Sequence, residues 1–193
     1  MALTLAPGPD NIFVTSQGIA HGRRTAIITA LGMCSGVSVH TIAAALGLSA
    51  LFYSSLLAFN LVKYAGAAYL LYLALQAIRN STPLSLPPAG KQPAAALFRR
   101  GFIMNVLNPK VALFFLAFLP QFIEPGSRNA TLLMLLLGGI FMLQAMIIFS
   151  LIGWFSGSIG GFIAARPAIS RRFDWLTAGV FASLGVKLAL AER

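Results

Sequence analysis

Six apolar runs separated by short polar breaks make up this chain. A helix that spans a bilayer needs about 20 predominantly apolar residues, with a range of roughly 17–25. The pattern predicts a first span from Met1 to Gln17, short and interrupted by proline, and a loop from Gly18 to Arg24. A second span over Ala26 to Leu51 has no Lys, Arg, Asp or Glu, and a third over Ser54 to Ile78 carries only Lys63. The stretch Arg79 to Arg100, with Thr82-Pro83 and Leu86-Pro87-Pro88, reads as a surface linker. A fourth span covers Gly101 to Ile123. A fifth begins at Ala130 and stays uncharged to Ala165, too long for one crossing, so the Gly/Ser-rich part after Gly153 is expected to leave the bilayer or lie on its surface. Phe173 to Leu190 is the sixth.

The cations fall in alternate loops. Counting Lys and Arg, the first, third and fifth loops hold nine (Arg23, Arg24, Arg79, Lys91, Arg99, Arg100, Arg166, Arg171, Arg172), and the even loops hold Arg128 alone. Cytoplasmic loops collect Lys and Arg. The odd loops are therefore expected in the cytoplasm and both termini outside. This alternation supports six spans independently of the apolar runs.

Six spans divide into two sets of three, about 1–78 and 101–193, joined by the cytoplasmic linker 79–100. Each set opens with a helix broken by proline: Pro7-Gly8-Pro9-Asp10-Asn11 in the first, Asn105-Val106-Leu107-Asn108-Pro109-Lys110 in the fourth. An odd number of spans per set inverts one half relative to the other. Interrupted helices at corresponding places in two halves point to a transporter's binding site. The fold class expected is all-α integral membrane, with an inverted repeat of three plus three helices. It forms one transmembrane transporter domain over residues 1–193.

An ionisable residue at membrane depth is costly, about 2.5–3.5 kcal/mol on insertion scales, and is by default a functional candidate. At 1.5 Å per residue, Asp10 lies roughly 12 Å deep and Lys110 near the midplane of a core about 30 Å thick. Opposite charges at one depth can meet. They form either a buried ion pair that locks the halves together or a site for a zwitterion or a proton. Pro9 and Pro109 suit the first turn of a half-helix, whose free N–H groups attract anions. Lys110 adds a cation to that positive end and calls for an anion, from Asp10 or from a substrate carboxylate. Asp10 could hold a substrate ammonium or carry the coupled proton. Asn11, Asn105 and Asn108 either satisfy backbone groups freed by the prolines or touch the ligand. Gly8, with Pro7, Pro9 and Pro109, marks the helix breaks and hinges.

His40, in the second span, could relay protons or hydrogen-bond across a helix contact. Lys63 is expected to snorkel to the outer surface, and Gln144 is a further interior polar candidate. Gly32-x-x-x-Gly36 and Gly153-x-x-x-Gly157-x-x-x-Gly161 predict close helix contacts. Phe114, Phe115 and Phe118 read as lipid-facing or core surface.

Composition narrows the class. Only 9% of the 193 residues are charged and 58% are hydrophobic, with mean hydropathy +0.84. A soluble domain carries about 25% charged residues, so this chain reads as embedded in a lipid bilayer. The net charge of +10 would suggest nucleic acid in a soluble protein. Here the cations are an orientation signal, and no nucleic-acid partner is expected. The N-terminus lacks a basic region ahead of its first apolar stretch, so no cleaved signal peptide is expected. One cysteine, Cys34, and two histidines spell neither a disulfide nor a metal site. No Gly-x-Ser-x-Gly elbow or phosphate loop is present. Neither enzyme activity nor a cofactor is expected.

Several of these residues also resemble those of the LysE/RhtB family of bacterial amino-acid exporters, the threonine/homoserine/lysine efflux-type translocators. The matching stretches are Ala6-Pro7-Gly8-Pro9-Asp10-Asn11, Gly22-Arg23-Arg24 leading to Gly32 and Gly36, and Lys63-x-x-Gly66-x-x-Tyr69-Leu70. The most specific is Gly101-Phe102-x-x-Asn105-x-x-Asn108-Pro109-Lys110, continuing through Phe114-Phe115 to Phe118-Leu119-Pro120-Gln121-Phe122. The resemblance covers essentially the whole chain. It implies a six-helix secondary carrier in the bacterial inner membrane that exports amino acids in exchange for protons. The family carries a longer apolar stretch ahead of Pro-Gly-Pro, which predicts a shortened first helix here. An uncoupled channel or a lipid-handling protein is the alternative class. The substrate's identity, the coupling ion and homo-oligomerisation stay open.

Overall fold

A computed structural model of the chain describes residues 2–5, 9–54, 56–79, 92–124, 127–164 and 167–190. These form helices and no strand: α1 Ala2–Leu5, α2 Pro9–His21, α3 Arg23–Ser54, α4 Leu56–Arg79, α5 Ala94–Val106, α6 Pro109–Leu113, α7 Ala130–Ala164 and α8 Pro167–Leu190. Between α6 and α7 the chain continues as a π-helical turn, Phe114–Phe118, and a 3-10 turn, Leu119–Phe122. Helices dominate because lipid offers backbone groups no hydrogen-bond partner, so each segment must satisfy its own. Even the hydroxyls within α3 turn back on the helix: Thr29 donates to the Thr25 carbonyl, Ser35 to Leu31 and Thr41 to Val37.

Among the described residues, two single helices contain stretches long and apolar enough to cross a membrane, Arg23–Gly47 within α3 and Ala130–Ser156 within α7. The pair Ala94–Val106 and Pro109–Phe122 makes a third when taken as one span bent by 49°. The outer face of α7 presents Leu132, Leu136, Ile140, Leu143, Ile147 and Leu151, all exposed. Water-facing monomers rarely carry an apolar strip of this size. Lipid covers it.

Helix α3 is the hub, packing against α5, α7 and α2, while α2 also packs along α7. Helix α4 pairs with α8, and the π turn touches α3, α4 and α8. One core cluster holds Phe115, Leu70, Met134, Phe181 and Leu188; a second holds Val14, Met33, Cys34, Ala145 and Phe149. Phe114, Phe115 and Phe118, expected on the core surface or facing lipid, are all buried in the first.

The close contacts expected at Gly32 and Gly36 occur between α3 and α5. A Cβ on Gly32 would collide with the Phe98 carbonyl, and one on Gly36 would sit 2.9 Å from the Asn105 side chain. Gly101 answers from α5, against the Thr29 carbonyl. Gly153 lies 3.0 Å from Ala26 by the same measure. The surroundings of Gly157 and Gly161 are not described.

Three expectations need correction. The polar stretch Gly18 to Arg24 is not a loop: α2 runs through His21, and the turn is Gly22 alone, whose φ of 86° favours glycine. The fifth run, too long for one crossing, is one continuous helix of 35 residues, about 52 Å long against a core of about 30 Å, and needs no correction. The fourth apolar helix begins at Ala94, inside the proposed linker, because Pro93 starts it. Lys63 does not reach outward. It is buried, with Nζ 4.5 Å from the centroid of the Tyr64 ring. Linker residues 80–91, together with Pro7, Gly8 and Arg166, lie outside the described residues.

Candidate functional site

The two helix breaks meet. In each, proline sits at the start of the second half-helix: Pro9 opens α2 and Pro109 opens α6. Proline fits there because its missing N–H is one the helix start cannot use. Asp10 follows in the first turn of α2, where the helix dipole favours an anion. Lys110 follows Pro109 at the start of α6.

Asn108 joins the two. As N-cap of α6 its Oδ1 accepts from the Lys110 backbone N–H at 3.0 Å, and its Nδ2 donates to Asp10 Oδ1 at 2.9 Å. One amide therefore ends one break and grips the acid of the other. Asp10, Asn108 and Lys110 are 2%, 5% and 6% exposed, so the contact is shut off from both water and lipid. Among the described residues no direct salt bridge joins Asp10 to Lys110; the link runs through Asn108. The Lys110 ammonium has weak partners, the Leu3 carbonyl at 3.5 Å and the Phe181 ring at 5.9 Å. A cation so lightly held can accept a carboxylate.

The neighbours complete the centre. Pro109 lacks the N–H that would reach the Asn105 carbonyl four residues earlier. That carbonyl is met instead by the Asn108 backbone N–H at 2.9 Å and by His40 Nε2 at 3.1 Å. His40 thus bonds across the α3–α5 contact, one of the two roles open to it. The Asn105 side chain faces Asp10, and its Oδ1 is buried with no hydrogen-bond partner among the described residues. It is a spare acceptor beside the acid. Asn11 takes the backbone role: its Nδ2 donates to the Thr4 and Leu5 carbonyls at 3.1 and 3.2 Å, tying α1 to α2 across the break. Gln144 donates to Thr4 Oγ1 at 3.0 Å and fixes α7 to α1. No group of metal-ligating side chains occurs among the described residues.

Sequence reasoning missed one residue of this region. Gln17, on α2, is wholly buried. It stands seven residues after Asp10, which puts both on one helix face. That spacing was the signal available.

An apolar helical chain with an acid, an amine and three amides enclosed where two helices break is a membrane protein built around a polar centre. The comparisons give it a family. The model of the LysE type translocator matches residues 1–192, and the chain belongs to this family of amino-acid efflux-type membrane transporters. It is 32% identical over 193 residues to an uncharacterized membrane protein of Vibrio cholerae, covering 100% of this chain and 93% of that one. It is 26% identical over 189 residues to the leucine efflux protein of Enterobacter sp. (strain 638), covering 97% of this chain and 90% of the relative. A homoserine/homoserine lactone efflux protein of Salmonella typhimurium is 40% identical over 124 residues, 64% of this chain and 60% of that protein. No solved structure matches.

Proposed function

We propose that this protein is a secondary transporter of the bacterial cytoplasmic membrane that exports an amino acid or close derivative by proton antiport. The observation that carries the reading is the Asp10–Asn108–Lys110 arrangement at the meeting of two helix breaks. An amino acid presents one ammonium and one carboxylate. In this reading Lys110 Nζ, with its weak present partners, takes the carboxylate. Asp10 and the spare Oδ1 of Asn105 take the ammonium, or Asp10 carries the proton when the substrate leaves. Asn108 orients both charges, and Asn11 and His40 hold the broken backbone in place. Pro7, Gly8, Pro9 and Pro109 are the hinge positions.

The alternating-access frame is six spans in two inverted halves, about 1–78 and 101–193, joined by the linker 79–100. It is supported by which helices pair. In such a repeat α3 corresponds to α7 and α4 to α8, and each of these pairs packs together. A twofold axis in the membrane plane is compatible with such self-pairing, and it also matches the packing of α2 on α7 with that of α5 on α3. The odd loops are cytoplasmic in this reading, following their Lys and Arg. The names of the Enterobacter and Salmonella relatives, a leucine and a homoserine exporter, support an uncharged-side-chain amino acid as substrate.

The test is export from intact cells loaded with a mixture of dipeptides, with every amino acid in the medium quantified over time. One or a few amino acids leaving faster than in a Lys110→Ala control, and more slowly when the pH gradient is collapsed, is the expected result. Release insensitive to the gradient would favour an uncoupled channel. No difference from the Lys110→Ala control, with both proteins shown in the membrane, would overturn the reading.

A further inference from the structure

Gln17 is 0% exposed, and among the described residues neither its Nε2 nor its Oε1 has a hydrogen-bond partner. Burying an amide in this way is costly, and folded proteins avoid it unless something repays the group. Its surroundings are not loosely packed. The adjacent Gly18 closes against Ser156 and Ala26, and one turn earlier Val14 packs with Phe149 and Ala145. The hydroxyls of this region are all spent on their own helices: Ser16 donates to the Phe13 carbonyl, Thr29 to Thr25 and Ser156 to Gly153. Gln17 alone is left with both ends open, in the junction of α2, α3 and α7.

Its position relative to the centre is informative. Seven residues along an α-helix make nearly two turns, so Gln17 lies on the Asp10 face, about 10 Å further along α2. That direction leads to the turn at Gly22 and to Arg23 and Arg24 at the start of α3, the end assigned to the cytoplasm. The face carries an acid at the centre, a small apolar residue at Val14, and a neutral amide nearer the cytoplasm. A neutral amide offers a donor to a carboxylate and an acceptor to an ammonium without holding either as a full charge would. Such a group suits a stop along a path.

We infer that the α2 face from Asp10 through Val14 to Gln17 lines the cytoplasmic leg of the export path, with Gln17 the polar contact that precedes the central site. This rests on the transporter reading above, and the first test is independent of the substrate. Cys34 is the chain's single cysteine, so Cys34→Ala gives a background in which Gln17→Cys can be probed in inside-out vesicles. A small cationic, membrane-impermeant thiosulfonate is expected to label Gln17→Cys from the cytoplasmic face. Ala67→Cys, buried between α4 and α8, is expected to stay unlabelled. Absence of labelling at position 17, or labelling only from the opposite face, would overturn the inference. Labelling of Gln17→Cys, in a protein whose wild type exports no amino acid, would retain the path and retire only the proposed substrate.

The second test is Gln17→Leu. A residue kept for structure would lower the melting temperature when lost; a residue kept for transport would not. Gln17→Leu is expected to melt no lower than wild type while raising the half-saturation concentration for export about tenfold, the value of one lost hydrogen bond to a charged group. Wild-type export kinetics in Gln17→Leu would also overturn the inference.

Discussion

Asn108 makes two bonds of different kinds, and two substitutions separate them. Asn108→Ser keeps an N-cap, since serine caps about as well as asparagine. It removes the Nδ2 that reaches Asp10 at 2.9 Å. Asn108→Ala removes both bonds. A hydrogen bond to a charged group contributes about 1.5–3 kcal/mol, and a lost N-cap costs about 1 kcal/mol. For a protein of 193 residues, 1 kcal/mol moves the melting temperature by about 2–4 °C. Asn108→Ser should therefore lower it by about 3–12 °C, and Asn108→Ala by about 2–4 °C more. The assay is thermal melting of the purified protein in one detergent, run as a double-mutant cycle with Asp10→Ala. The cycle should return a coupling of about 1.5–3 kcal/mol between Asn108 and Asp10. Additive effects, within about 0.5 kcal/mol, would refute the claim that this bond ties the two breaks together.

Three further predictions concern the same centre. Asp10→Asn keeps an acceptor for Asn108 but no charge, and should abolish coupled export while membrane insertion stays normal. Wild-type transport rates in that variant would remove Asp10 from the mechanism. Gly36→Ala drives a methyl toward the Asn105 side chain and should cost about 1–3 kcal/mol, read as lower melting and weaker export together. Unchanged melting would contradict the close α3–α5 approach. His40→Gln retains a donor for the Asn105 carbonyl and should export normally, whereas His40→Leu should not; loss in both variants would return His40 to a proton relay.

The centre was legible in the sequence because it breaks the rules of its surroundings. Asp10, Lys110 and the two prolines stand in apolar runs where charges and helix breakers are expensive, and the structure brings Asp10 and Lys110 to one place. The Asn108 bridge was not legible, since which of several asparagines faces which charge depends on how two breaks cross in space. Helix ends were read least well. Gly18 looked like the start of a loop, but its small size is used for contact, closing on Ser156. Small residues in a membrane helix therefore carried two meanings that only packing separates. The π turn at Phe114–Phe118 has no marker in the sequence; its three buried rings stack and cross at 5.2 to 5.8 Å within the core.

One acid and one amine at the centre give it a formal charge of zero, and a zwitterionic cargo adds none. The electrical potential across a membrane acts only on charge that moves, about 2.3 kcal/mol per elementary charge at 100 mV. It therefore has no grip on this centre while Asp10 is ionised, but acts on it once the exchanged proton sits on Asp10 and leaves the Lys110 charge unbalanced. Any voltage dependence of export would count the accompanying ions, so a current recorded beside a flux gives the stoichiometry of the exchange directly.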